Sequence, residues 1–331
     1  MRVLVLHDEP AVDARADEED TLVQAAAVAD ALRARGHEVE ACAVGLDLGA
    51  LLAVLRRVRP DVAFHLVESI ARSGRLAQVA ALVLEHAGCP HTGSDAAALA
   101  LVDDKVRAKA VLAAAGLPTP PWRTLADLER GAPVPGRWLV KARFEHGSLG
   151  IDDDAVLEGG DAAALAAALR ARLPRVGGAG FLEQYVHGRE CNVGLLEDDG
   201  APRCLAVAEI RFRAAFAGRP HLLGYRAKWA TDSADYADTV RSFAFAATDH
   251  GLVRRLEDLA RAAWDAFGLS GYARIDFRVD AGGELWIIDV NANPCLTKDA
   301  GFAAMLAETG IAYGDALEHI LLAALRRRDG R

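Results

Sequence analysis

The sequence predicts an α/β protein of two or three lobes around a cleft, opening with a parallel sheet and continuing in segments of mixed α+β character. Three observations predict it. The 331 residues exceed one hydrophobic core, since domains run to roughly 100–150 residues. The first 95 residues alternate short apolar runs with helical patterns, which is βαβ logic. Beyond a proline cluster, paired strand patterns are interrupted by helices and one long irregular stretch.

The elements follow in order. RVLVLH reads as a first strand, TLVQAAAVADALRARG as a helix closed by Gly36, HEVEACAV as a second strand, then a Leu-rich helix ending before Pro60, and DVAFHLV as a third strand. The first turn, HDEPAVDARADEED, lacks the GxGxxG that a dinucleotide-binding turn needs, which argues against a dehydrogenase. RLAQVAALVLEHAG is a helix leading to CPHTGS. DDKVRAKAVLAAAG is another, which Asp103 or Asp104 can cap and Gly116 can end. Pro118, Pro120 and Pro121 force an extended connector. RWLVKA then reads as a strand, FEHGSLG as a glycine-bearing loop, DAAALAAALRARL as a helix, and GFLEQYV, ECNVGLL and CLAVAEI as strands. From Arg211 to about His250 no period emerges, and irregular stretches of that length are commonly functional lids. An amphipathic helix to Gly268, the strands GYARIDFRV and ELWIIDV, an NANP turn and C-terminal helices complete the chain.

Composition narrows the function. Hydrophobic residues make up 52% and charged residues 26%, with a formal net charge of −9. A protein that binds nucleic acid needs a basic face, so nucleic acid is not an expected partner. Asp8 and Glu9 interrupt the opening apolar run far short of a signal peptide. No uncharged apolar stretch reaches the roughly 18 residues that cross a bilayer, so a cytoplasmic address is expected and no membrane partner. The five cysteines, Cys42, Cys89, Cys191, Cys204 and Cys295, contain no CxxC pair and read as reduced thiols. No HExxH or related histidine pattern supports zinc chemistry.

The basic residues are uneven. Only five of the 38 lysines and arginines are lysine, namely Lys105, Lys109, Lys141, Lys228 and Lys298. On open surface either cation serves, but a site that needs a compact ammonium on a flexible stem cannot accept the planar fork of arginine. The surviving lysines therefore mark candidate sites. In ARIDFRVDAGGELWIIDVNANP, two strands joined by a hairpin carry Asp276, Asp289 and Asn291, and alternation puts Asp289 and Asn291 on one face. Two carboxylates and an amide oxygen are hard ligands suited to Mg²⁺, which completes its shell with phosphate and water. Lys141 ends an apolar strand, and Ser148 follows in the glycine loop, where backbone amides and a hydroxyl can fold over phosphates. With Lys105 at a helix start, and Glu183 and Glu190 on FLEQYVHGRECNVG, these residues form a nucleotide constellation.

The ordered set DDKVRAK, LVKARFEHGSLGI, FLEQYVHGRE, YRAKW and ARIDF with IIDVNANPCLT resembles the ATP-grasp superfamily, most nearly its D-alanine–D-alanine ligase branch. The resemblance is strong from the HTGS segment onward and holds in outline before it. It implies an ATP-grasp fold with an N-terminal Rossmann-like parallel-sheet domain over 1–95, a central lobe over 96–180 and a C-terminal lobe over 181–331. It also implies a ligase that activates a carboxylate as an acyl phosphate and joins it to an amine, with ATP and one or two Mg²⁺, or Mn²⁺ in their place. By the same resemblance Lys105 and Lys141 contact ATP, Glu183, Gln184, Tyr185 and Val186 line the adenine, and Glu190 takes the ribose. Ser148 caps the phosphates, Lys228 reaches the transferring γ-phosphate, Arg274 stabilises the tetrahedral intermediate, and Asp276, Asp289 and Asn291 hold the metal. The partners are a small carboxylate and a small amine, and a homodimer is compatible with them.

The departures from that branch cluster in the amino-acid half. The branch carries a second loop serine where this chain has Gly147, a tyrosine where it has Trp229, and a serine where it has Ala300. Its HGxxGEDG motif is replaced by HLVESIARSGRLAQ, and Asp289 stands where glutamate is usual. An acidic residue near the N-terminus holds the first substrate's ammonium in the branch, a role for which Glu19, in the cluster Asp17 to Asp20, is the candidate. His65, Glu68, Arg72, Trp229 and Lys298 are further substrate candidates. A site that pairs buried polar groups with its substrate discriminates strongly, so these changes predict an amino-acid or small-peptide pair other than two D-alanines. The alternatives are D-alanine–D-alanine ligation itself, or a non-catalytic ATP-binding regulatory protein.

Overall fold

The computed structural model describes residues 1–131 and 134–329. Three sheets divide the chain. The first is parallel, ordered β2 (Glu38–Val44), β1 (Arg2–Asp8), β3 (Val62–His65). Val3 to Leu6 and Val62 to Phe64 are buried on both faces, as expected of parallel strands with helices on either side. The second sheet, ordered β4 (Trp122–Arg123), β7 (Gly180–Gln184), β5 (Val134–Ala142), β6 (Val156–Gly160), is antiparallel and packs against helix Ala162–Arg172. The third has six strands: β8 (Arg189–Asp198), β9 (Ala201–Cys204), β10 (Ala208–Phe212), β11 (Thr239–Ser242), β12 (Tyr272–Val279) and β13 (Leu285–Asn291).

Local chemistry explains where elements begin and end. Asp104 caps helix Lys105–Ala114 by accepting from the amides of Val106 and Arg107, and Gly116 leaves the helix at φ +69°. Helix His250–Phe267 ends on Gly268 in the left-handed region. Its Leu256, Ala260, Ala263, Trp264 and Phe267 pack on Ile275, Phe277 and Val279 of β12.

Some placements differ from the sequence expectation. Helices Ala96–Val102 and Lys105–Ala114, assigned by chain position to the central lobe, bury Leu99, Val102 and Leu112 in the core of the six-stranded sheet. β7 straddles the expected boundary at 180. Helices Gly301–Glu308 and Tyr313–Asp329 return to cover β1 and β3. CLAVAEI is not one strand: β9 pairs with Leu195–Asp198 of β8 and β10 with Glu190–Asn192, so the chain bends between them. In the irregular stretch, β11 was hidden because an edge strand of sequence TVRS carries no alternating apolar pattern. Among the described residues no helix is long and apolar enough to cross a membrane.

Candidate active site

A cavity of about 550 Å³ lies where the three sheets meet. Its floor is one face of the six-stranded sheet. Arg274, Asp276 and Arg278 alternate along β12, so all three point to the face opposite the Ile275–Phe277–Val279 core. Their cross-strand partners extend the polar face: Asp276 stands between Asn192 of β8 and Asp289 of β13, Arg278 opposite Glu190, and Arg274 opposite Asn291. Arg274 holds Asp276 with two nitrogens at 2.7 and 2.8 Å, and Asn192 donates to the same carboxylate at 2.8 Å. Despite burial, Asp276 raises the Arg274 pKa. Glu190 pairs with Arg278 at 2.9 Å. Burial raises the Glu190 pKa, and Arg278 opposes that shift.

A β-bulge decides how the lysines enter. The β12–β13 register runs Asp276 to Asp289 and then Phe277 to Ile287, which leaves Ile288 unpaired. The freed Ile288 carbonyl accepts from Lys141 Nζ at 2.8 Å, and Lys141 also contacts Glu183 at 3.2 Å. Glu183 is shared: Lys109 Nζ lies 2.5 Å from its other oxygen and donates to Thr119 and Pro120. Burial lowers the Lys109 pKa, whereas Lys141, although buried, is raised by Glu183 and Asp289. Lys105 is placed by its helix start. Arg143, just past β5, grips the capping Asp104 twice at 2.7 Å, and the Lys105 amide donates to the Arg143 carbonyl, so Lys105 Nζ reaches the Glu145 carbonyl at 3.1 Å.

Gln184, Tyr185 and Val186 continue from Glu183 along the cavity wall, and the Tyr185 amide donates to the Arg137 carbonyl at 2.8 Å. Lys228 lies in the short helix Tyr225–Trp229; burial and then Arg274 lower its pKa. Ser148 lines the cavity at φ +61°, but its hydroxyl donates to the Leu223 carbonyl at 2.8 Å. Gly147, Trp229 and Ala300 also line the wall, and Trp229 Nε1 donates to the Gly147 carbonyl at 3.1 Å.

The residues present fit a hard divalent cation. Asp289 makes no side-chain hydrogen bond among the described residues, and Lys105 and Lys141 hold its pKa down to about 2 although burial pushes it up. It is thus an ionised carboxylate with free lone pairs beside Asp276 and Asn291, within the one or two carboxylates Mg²⁺ prefers. No group of three histidine, cysteine or carboxylate side chains among the described residues could form a metal cage.

The substrate candidates divide. Glu68, Arg72 and Trp229 line the cavity. Glu19 does not: the acidic cluster forms the first turns of helix Ala16–Ala34, and at about 100° per residue Asp17 and Asp20 share a face while Glu19 points to solvent. Of that cluster, Asp17, Glu18 and Asp20 line the cavity. His65 is wholly buried away from the cavity, its pKa lowered to about 3 by burial and by His91. Lys298 is exposed on the turn after β13 and does not line the cavity. Sequence reasoning missed Arg278 and Arg241 in the cavity wall and Tyr225, which bonds the wall residue Asp17, while Lys109, marked by the scarcity of lysine, does not line the cavity but pairs with Glu183. Arg278 was legible, being two residues beyond Asp276 on the same face, whereas Arg241 sits on the unrecognised edge strand.

Comparison with known proteins points to one family. The family described as D-ala D-ala ligase C-terminus matches residues 139–322. The D-alanine–D-alanine ligase of Acidiphilium cryptum is 34% identical over 305 residues, covering 90% of this chain and 91% of that protein. That of Gluconobacter oxydans is 32% identical over 314 residues, covering 93% and 95%. Among solved structures, the D-alanine–D-alanine ligase of Bacillus anthracis complexed with ATP superposes with a TM-score of 0.74 at 19% identity, covering 100% of this chain and 99% of that one. The Coxiella burnetii ligase gives 0.70 at 17% identity, covering 100% and 96%.

Proposed function

The chain belongs to the D-alanine–D-alanine ligase family, and from that premise we propose that it joins two D-alanines in an ATP- and Mg²⁺-dependent reaction through an acyl phosphate. It is an ATP-grasp ligase. The observation that carries the finer reading is convergence: Lys105, Lys141 and Lys228 meet Asp276, Asp289 and Asn291 in one cavity. The relatives' shared activity favours D-alanine over the different amino-acid pair that the departures in the sequence suggested.

The protein's own groups do the positioning. Lys141 and Lys105 neutralise phosphate oxygens from two sides, Gln184 to Val186 receive the base, and Glu190, oriented by Arg278, faces the ribose. Mg²⁺, when bound at Asp276, Asp289 and Asn291, supplies Lewis-acid charge to the transferring phosphoryl group. Lys228 and Arg274 spread the negative charge that develops as the first carboxylate is phosphorylated and as the amine then attacks. The glycine loop and the lid helix Tyr225–Trp229, joined by the Trp229–Gly147 hydrogen bond, keep water from the acyl phosphate. Two of the sequence departures, Gly147 and Trp229, thus pair with each other and keep loop and lid together.

The test is purified protein with ATP, Mg²⁺ and D-alanine. One ADP per D-alanyl-D-alanine, read by mass, is expected. Coupling of some other amino-acid pair, with D-alanine inert, would overturn the substrate assignment and leave the ligase class standing.

A further inference from the structure

The glycine loop is anchored on both sides, and the anchors decide which of its side chains can serve the reaction. On one side Arg143 grips Asp104, the Lys105 amide donates to the Arg143 carbonyl, and Lys105 Nζ donates to the Glu145 carbonyl at 3.1 Å. Gly74 of the N-terminal lobe closes on the same stretch, so tightly that a Cβ there would overlap the Phe144 carbonyl oxygen. On the other side the Tyr225 amide donates to the Ile151 carbonyl, and Ser148 donates its hydroxyl to the Leu223 carbonyl at 2.8 Å. Gly147 and Ser148, at φ +66° and +61°, turn the chain between the two halves. A serine has one O–H to give, so the hydroxyl that the sequence offered as a phosphate cap is already committed.

His146, the last side chain before that turn, lines the cavity and is not committed. Its Nε2 stands 3.6 Å from Asp103, beyond hydrogen-bond reach, and among the described residues neither ring nitrogen makes a hydrogen bond. Its Cδ2 would lie 3.5 Å from a Cβ at Gly74, so the ring rests on the N-terminal lobe. The charges around it locate it: Glu68 and Asp8 from that lobe, Asp103 and Lys105 at the helix start, Glu145 in the loop, and Asp289 of β13. A group that interacts with both Asp289 and Glu68 lies between the candidate metal ligands and the candidate substrate residues. That is where the γ-phosphoryl group must meet the carboxylate that accepts it. Burial and Lys105 lower the His146 pKa, but Asp103 and Glu68 outweigh them and raise it, which favours the protonated ring, a donor at both nitrogens. Lys105 and His146 are then like charges that disfavour each other, a cost that an anion between them removes.

We propose that His146 is a catalytic residue of the phosphoryl transfer: its imidazole donates a hydrogen bond to a non-bridging oxygen of the ATP γ-phosphoryl group, together with Lys105, in the role that the tethered Ser148 cannot fill. This rests on the ligase reading. As the carboxylate oxygen attacks the γ-phosphorus, the bond from that phosphorus to the β,γ-bridging oxygen breaks, and ADP leaves with the electron pair. His146 keeps its proton throughout. Negative charge spreads over the three non-bridging oxygens during the transfer, so a fixed donor there holds the transition state more tightly than ATP itself. The contacts of the loop with Gly74 and Lys105 supply that fixity.

The experiment measures calorimetric binding of ADP and of the β,γ-methylene analogue of ATP, each with Mg²⁺, in the whole enzyme and in His146→Ala, His146→Gln and Ser148→Ala. ADP lacks the γ-phosphoryl group, so the ratio of the two dissociation constants isolates the contacts made to it. His146→Ala should move that ratio roughly 10- to 100-fold against the analogue, the loss of one charge-assisted hydrogen bond. ADP binding should stay unchanged and kcat should fall by at least the same factor. His146→Gln, which keeps an N–H donor, should recover part of the ratio. An unchanged ratio in folded His146→Ala, whether both affinities hold or both fall together, overturns the inference, as does a ratio that moves in Ser148→Ala instead. The ratio is read without any amino acid. Its shift in His146→Ala therefore supports the inference even when wild type forms no D-alanyl-D-alanine, an outcome that counts against the substrate assignment alone.

Discussion

Tyr225 donates its hydroxyl to Asp17 at 3.0 Å, linking the proposed lid helix Tyr225–Trp229 to the first helix of the N-terminal lobe, where Asp17 lines the cavity. On its other side the same lid helix reaches the glycine loop through Trp229. Burial and Asp17 raise the Tyr225 pKa to about 12, so the hydroxyl is a donor throughout the physiological range. Tyr225→Phe removes one hydrogen bond to a charged acceptor, a change of about 1.5–3 kcal/mol. Dipeptide yield per ADP should fall, with kcat/KM for D-alanine down roughly tenfold or more. A stoichiometry of ADP to dipeptide unchanged from wild type would show that the latch does not exclude water.

Lys141→Arg keeps the charge and should still disable the enzyme. Lys141 is buried with its ammonium between Glu183 and the Ile288 carbonyl, and a guanidinium is too wide for both. Disturbing a buried pair costs about 3–5 kcal/mol, so kcat/KM for ATP should fall at least about 100-fold. Near-wild-type turnover in a folded variant would remove the argument that scarce lysines mark the site.

Asp289→Asn keeps the shape but exchanges one acceptor oxygen for an NH2 donor and removes the carboxylate, held ionised by Lys105 and Lys141, that is proposed to bind Mg²⁺. Turnover should drop by at least about 100-fold, partly recovered at high Mg²⁺, because ligand loss exceeds the 10- to 100-fold effects of outer-shell changes. An unaltered Mg²⁺ titration would place the metal elsewhere.

Glu68 supplies a pH prediction. Burial raises its pKa to about 7, His146 opposes that, and Asp8, Asp20 and Asp17 add to it. Its folded pKa lies above the unfolded value, so between about pH 4.5 and 7 the native state binds more protons than the unfolded one, and stability falls as pH rises. Glu68→Gln cannot ionise. It should gain about 2–3 kcal/mol over wild type at pH 8 and little at pH 4, measured by urea unfolding. Parallel stability profiles for the two proteins would show that the carboxyl is solvated.

The sequence by itself determined the parallel-sheet opening, the helix end at Gly116 and the β12–β13 hairpin, and it narrowed the helix cap to Asp103 or Asp104, between which the structure chose Asp104. It also singled out lysines and carboxylates that the fold brings to one cavity, because period, capping and the scarcity of lysine are local signals. The tertiary structure alone decided which acidic residue of the first helix faces the cavity. Composition cannot choose between Asp17 and Glu19; a helix phase set by core contacts can. It also decided that a bulge at Ile288 aims a carbonyl at Lys141, and that Arg241, on an edge strand without an apolar pattern, stands beside Arg274. Such juxtapositions join residues far apart in sequence, and they exist only once packing has set the distances between lobes.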